Sequence, residues 1–261
     1  MRDNSTHLLK RVDAILQAIG LEGRIGAAEL AKRVGLPRST LYRLLAALEA
    51  IGYVKHSPDG PEYQLSIRLF ELGSRMVGSL QWRAEARPIL AELARSTGES
   101  AHLAVLDGDD AVYVDFAGGP HVIGLLSRVG TRSPLHCTAV GKILLAYAPA
   151  ERRRELIARI RFKRYTDTTI CTAAELEAEL ESVRRQGFAT VDGEYDSYLR
   201  AVGAPVMDHF GSVIAAISVA GPSMRLSLTD LQRLAPEVCR AGAEISSRLG
   251  YYGSCVSSAV G

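Results

Sequence analysis

The scarcities of this sequence narrow its class before any motif is considered. Its 261 residues include four cysteines, Cys137, Cys171, Cys239 and Cys255, with no C-x-x-C or other close spacing between them. That pattern argues against a zinc module and a disulfide framework; free thiols are expected, with no metal and no cofactor. The N-terminal MRDNSTHLLKRVD lacks the apolar core of a signal peptide, and the longest apolar run, VIAAISVAG at 213–221, is too short to cross a bilayer. A soluble, cytoplasmic protein with no membrane partner is expected. Lys142 follows Gly141, but no glycine stands six residues before it and no Ser or Thr comes next, so the phosphate-loop template fails. Internal repeats are absent, and the one biased stretch is the small-residue end GSCVSSAVG, expected to be disordered. Net charge is only +2, which excludes a polycation that coats nucleic acid or membrane indiscriminately.

What is present is a chain about half apolar and long enough for two domains. Residues 27–49, AAELAKRVGLPRSTLYRLLAALE, read as helix, tight turn, helix. Ala28, Leu30, Ala31 and Val34 make one apolar face; Leu41, Leu44, Leu45 and Leu48 make the stripe of the second helix, with Pro37 suited to its first turn. Gly35 can take the positive φ at which the chain reverses. Outward on the second helix stand Arg38, Ser39, Thr40, Tyr42 and Arg43, cationic and hydroxyl chemistry gathered at the end that a recognition helix inserts into the major groove. Between residues 24 and 55 the cations Arg24, Lys32, Arg33, Arg38, Arg43 and Lys55 face only Glu29 and Glu49. An amphipathic helix over 5–19, capped by Ser5 or Thr6 and stopped at Gly20, and a hairpin across Pro58-Asp59-Gly60-Pro61 complete a winged helix-turn-helix.

Residues 66–80 read as a helix interrupted by Gly73 and Gly78, a linker ending near Trp82. Beyond it, helix 87–97 precedes strand-like SAHLAVL, AVYVDF and HVIGLLSRV. Helices follow near 138–148 and 150–160 and from a Thr172–Glu175 capping box to Gln186. Strand-like FATVD, RAVGAPVM and SVIAAISVA lead to a last helix over 228–249 that must bend or restart at Pro236. Turn-linked strand pairs with helices grouped between them predict an α+β domain with a mostly antiparallel sheet. The expected division is 1–66, 67–82, 83–250 and a disordered 251–261.

The loop GTRSPLHCT enters an apolar helix, so amides near Ala139 and Val140 form a ready anion site. Asp192 and Glu194 point to one side of a strand end, and Ser218 shares a face with Ala220, where a buried hydroxyl needs a partner. His136 beside Cys137 suggests a nucleophile, but chain neighbours seldom oppose each other, and no catalytic residue is expected.

In order along nearly the whole chain, ELAKRVGLPRSTLYRLLAALEAIGYV, SPLHCTAVGKILLA, the D-x-E at 192–194 and GAPVMDHFGSVIAAISVAGP are similar to the IclR-type bacterial transcriptional regulators. The resemblance implies a winged helix-turn-helix, a linker helix and a GAF-like effector domain. It also implies a homodimer or dimer of dimers on double-stranded DNA, with no enzyme activity. DNA contact falls to Arg24, Arg38, Ser39, Thr40, Tyr42, Arg43 and Lys55. The effector pocket falls to Leu125, Ala139, Val140, Asp192, Glu194, Tyr198, Ala201, Ser218 and Ala220. The chain departs from the family pattern at Tyr198, Ala201 and Ala220, where Gly, Cys and Ser are frequent, and 193–199 is one residue short. A phenol gained and a thiol and hydroxyl lost favour a larger, partly aromatic acid over a short keto acid. Repression or activation stays open, and the competing class is a metabolite-binding protein or enzyme whose N-terminal domain makes only protein contacts.

Overall fold

The helical stripe and the alternating strands are realised in a computed structural model that describes residues 2–57, 60–72, 81–119 and 129–252. It divides into two compact units, Met1–Leu80 and Gln81–Gly261.

In the first unit α1 (Arg2–Glu22) is followed by β1 (Ile25–Gly26), α2 (Ala27–Val34), α3 (Arg38–Ala50), β2 (Val54–His56) and β3 (Glu62–Leu65), and residues 67–72 are helical (α4). Ile15, Ile19, Leu30, Leu41 and Leu45 are fully buried in one core. Helix α1 begins before Ser5 and passes Gly20, so neither serves as a boundary residue. Its stop is Gly23, whose φ of 75° closes the turn with a 2.9 Å bond from its amide to the Ile19 carbonyl. Gly35 ends α2 at φ 64°, and the Leu36 amide returns to the Ala31 carbonyl. Pro37 lies one residue outside the first turn of α3, as its N-cap. The two-residue β1, too short to register as a pattern, pairs with β3 and makes the wing three-stranded, in the order β1-β3-β2.

The second unit runs α5 (Gln81–Thr97), β4 (Ser100–Asp107), β5 (Asp110–Ala117), β6 (Arg132–Ser133), α6 (Ala139–Ala146), α7 (Ala150–Arg159), α8 (Ala173–Gln186), β7 (Ala189–Asp192), β8 (Leu199–Met207), β9 (Val213–Pro222) and α9 (Leu228–Arg248). Its six strands form one antiparallel sheet, β6-β5-β4-β9-β8-β7. Alternation divides the apolar residues between two cores: Leu103 and Ile217 join α5 and α9 on one face, Ala104 and Ala216 join α6 and α8 on the other. The α+β, antiparallel architecture is therefore the observed one.

Helix α8 has the expected Thr172–Glu175 capping box, and α9 has a second, Ser227–Asp230. Pro236 neither ends nor restarts α9, which continues to Arg248; a proline forfeits a single backbone donor, and the helix is held along its length by Leu231, Val238 and Ile245 in the core. Strand β5 is irregular at one point. Leu103 opposes Asp115 while Ala104 opposes Tyr113, so Val114 is the extra residue of a β-bulge. Most of the expected strand 121–129, the linker glycines Gly73 and Gly78, and the tail from 253 lie outside the described residues. Among those described, no helix is long and apolar enough to cross a membrane.

Candidate functional site

In the first unit, the buried leucines of α3 fix which side chains face outward: Arg38, Ser39, Tyr42 and Arg43 are exposed and Thr40 is half-buried. The N-cap Pro37 offers no side-chain cap, so the amides of the first turn stay open to an external acceptor. Nearby charges are sorted into two sets. Arg33 is bound to Glu22, and His56 Nδ1 lies 2.9 Å from Glu49 Oε1 with its ring 4.3 Å from that of Tyr63. Arg38, Arg43 and Lys55 have no ion-pair partner among the described residues. Lys55 is exposed on β2 opposite Gln64, and Arg24 is exposed ahead of β1.

In the second unit the start of α6 faces a cleft of about 640 Å³, measured out to its open mouth. Thr138 caps the helix: its hydroxyl accepts from the Gly141 amide at 3.1 Å and donates to the Pro134 carbonyl at 2.7 Å. The amides of Ala139 and Val140, ahead of the first intrahelical bond, remain for another acceptor. Two glycines make this possible. A Cβ at Gly141 would lie 2.6 Å from the Leu135 Cα, and one at Gly203 would lie 3.3 Å from the Ala139 Cβ, so the loop folds onto the helix and the helix onto β8.

Ala139, Val140, Ala201, Ser218 and Ala220 line this one cleft. Three other sequence-designated residues do not. Asp192 is exposed and accepts from Arg200 Nε at 2.6 Å. Glu194 lies behind the cleft, bound at 2.6 Å to Nζ of Lys142, which is fully buried and also reaches Glu179 at 2.9 Å and the Thr190 carbonyl at 3.2 Å. Burial nevertheless holds the Glu194 carboxyl above its usual range. Tyr198 is 73% exposed and turned away, because the Asp196 carboxylate takes its amide and fixes a turn. Leu125 lies outside the described residues. The phenols lining the cleft belong instead to Tyr113 and Tyr195.

Sequence reasoning also missed His102, whose ring lines the cleft and lies 5.5 Å from that of Tyr113. Its alternation within SAHLAVL was the available signal, since a histidine on the same face as Ala104 must be buried. Burial alone pushes its pKa down to about 4, so it is neutral. Cys137 is buried, with its thiol pushed up to about 12, and the ring of His136 turns to the Lys163 carbonyl at 3.2 Å. A protonated thiol beside an engaged imidazole is not an activated nucleophile.

Comparison with known proteins identifies two family matches: the IclR helix-turn-helix domain over residues 8–58 and the bacterial transcriptional regulator IclR C-terminal domain over 74–247. The HTH-type transcriptional regulator KdgR of Dickeya chrysanthemi is 37% identical over 250 residues, spanning 96% of this chain and 82% of its own. The Thermotoga maritima IclR structure superposes with a TM-score of 0.78 at 28% identity, covering 96% of this chain and all of that one. An IclR homologue from Microbacterium hydrocarbonoxydans, complexed with 4-hydroxybenzoate, superposes with a TM-score of 0.81 at 25% identity, covering 92% and 98%.

Proposed function

The chain belongs to the IclR family of bacterial transcriptional regulators, and from that premise we propose how its residues divide the work. It is a DNA-binding regulator with a C-terminal effector-binding domain. Helix α3 enters the major groove by its N-terminal end. Arg38 and Arg43 contact bases or phosphates, with Ser39, Thr40 and Tyr42 beside them, and Arg24 and Lys55 hold the backbone. The observation carrying this is the sorting of charge: Arg38, Arg43 and Lys55 keep their charge unneutralised, while Arg33 and His56 nearby are paired. The protein works in the cytoplasm as a homodimer or dimer of dimers, two α3 helices reading successive major grooves of an approximately palindromic operator.

The effector is an acid whose carboxylate rests on the amides of Ala139 and Val140. Two phenols in the wall and the 4-hydroxybenzoate bound by a relative favour an aromatic or amphipathic acid. Domain limits near 66 and 82 leave the intervening segment to transmit effector binding, which requires different affinities for two arrangements of the DNA-binding domains.

Anisotropy binding to DNA upstream of the protein's own gene, at several salt concentrations, tests the reading. Wild type should bind tightly and with sequence preference, weakening as salt rises, and Arg38→Ala combined with Arg43→Ala should abolish the preference. Binding by the double variant equal to that of wild type would remove α3 from the interface.

A further inference from the structure

The cleft holds more polar chemistry than the protein itself uses. His102 is only 4% exposed, yet its ring nitrogens make no hydrogen bond among the described residues. The Ser133 hydroxyl on β6 is buried with no hydrogen-bond partner, and the buried Ser218 side chain has none among the described residues. All three line the same cleft. Buried polar groups left unpaired are destabilising, so three on one wall point to a ligand that pairs them.

Their order on the sheet is fixed by register. His102 on β4 lies directly opposite Ser218 on β9, which lies directly opposite Gly203 on β8, the residue on which Ala139 rests. With strands spaced about 4.8 Å apart, His102 stands roughly 10 Å across the sheet from the helix end that would take a carboxylate. Between the two ends the wall is Ala220 on β9 and Ala201 on β8, with Val191 on β7 beyond them, and the His102 side is closed by Tyr113. The site therefore has an anion end, an apolar middle and a neutral polar end. Among the described residues no cation is free to take a second carboxylate at the far end, because the two arginines that line the cleft are engaged, Arg132 by Asp107 and Asp110 and Arg200 by Asp192.

We infer that His102 is the specificity-determining residue of this cleft: it hydrogen-bonds a neutral hydroxyl or carbonyl at the far end of an acid whose carboxylate is held at the start of α6. A neutral imidazole presents one donor and one acceptor, which is what a hydroxyl presents in return. Burial keeps the ring in that neutral form across the physiological range. The inference rests on the reading of this cleft as the effector site.

The test is calorimetry on the full chain with two matched pairs of acids, benzoate with 4-hydroxybenzoate and hexanoate with 6-hydroxyhexanoate. In wild type the hydroxylated member of at least one pair should bind about tenfold or more tighter, because a site built to hydrogen-bond a group rejects the analogue that lacks it. His102→Phe should bring the two members level, and His102→Gln, which keeps a donor and an acceptor, should retain part of the preference. Circular dichroism establishes that each variant is folded. Equal binding of both members to wild type, or a preference that survives in His102→Phe, overturns the role of His102 while leaving the cleft as the effector site. Failure of all four acids to bind, or binding unchanged by Ala220→Phe, which fills the cleft, overturns the effector reading and this inference with it.

Discussion

Helices α3 and α6 both have an N-terminal end open to an anion, but they are built in opposite ways. Helix α3 buries one stripe and exposes the rest; its first turn is uncapped and surrounded by charge. All eight residues of α6 are buried, and Thr138 caps it. An exposed helix end flanked by arginines suits a polyanion that stays in water. A buried end with no free cation among the described residues suits one small acid, held by backbone dipoles in a sheltered cleft where they count for more.

The contrast is most sharply tested by removing the one ammonium buried under α6. Lys142→Met strands Glu194, and breaking one side of a buried ion pair should destabilise the second unit by about 3 to 5 kcal/mol in urea unfolding. A carboxyl whose folded pKa lies above its unfolded value binds more protons folded, so that loss should grow as pH rises from 5 to 8. An equal loss at both pH values would show that the Glu194 charge is not what is stranded.

Next in size is an acid effect confined to the cleft. His102 titrates at about 4 when folded instead of 6.5, so between those values the unfolded chain takes up the proton first. Stability should be complete above pH 6.5 and fall by on the order of 3 kcal/mol as pH drops to 4. His102→Gln should remove that part of the slope, and an unchanged slope would assign it to other groups.

On α3 the corresponding change touches binding alone. Arg43→Ala should weaken operator binding by about 1 to 3 kcal/mol and relax one base position, with no loss of folding stability. Uniform weakening on all sequences would make Arg43 a phosphate contact. Smallest is the cap: Thr138→Ala should cost about 1 kcal/mol of stability in the second unit and weaken acid binding at the now frayed end of α6. Pro37→Ser, which supplies α3 with a cap it lacks, should change stability in the opposite direction.

The two helices also differ in how far their roles could be read from sequence. On α3 the chemistry is carried by side chains within one contiguous segment, so the leucine stripe and the residues left over were legible together. The cleft is assembled from six strands and a helix end. Its backbone part, Ala139 and Val140, and the shared face of Ser218 and Ala220 followed from local pattern, and Ala201 from the family resemblance alone. The acidic pair did not, because a D-x-E spacing carries no record of Lys142, about fifty residues earlier in the chain, which draws Glu194 behind the cleft. Tyr198 was misplaced by a turn that depends on the Asp196 carboxylate; His102 had alternation as its signal, but its placement opposite Ser218, and that of Tyr113 beside it, is set by sheet register.

The bulge at Val114 gives strand β5 a change of reading frame. Two residues apart, Tyr113 and Asp115 would share a face of a regular strand; here Tyr113 looks into the cleft and Asp115 looks to α5, where it holds Arg87 at 2.6 Å and Arg83 at 3.1 Å. One inserted residue thus makes a single strand a two-sided part, with the ligand wall on one side and the anchor of α5 on the other. Were Val114 taken into a regular ladder instead, Tyr113 and Asp115 would share a face, turning the carboxylate into the cleft and releasing both arginines, so this break in the alternation is as much a part of the effector domain's working as any residue that touches the effector.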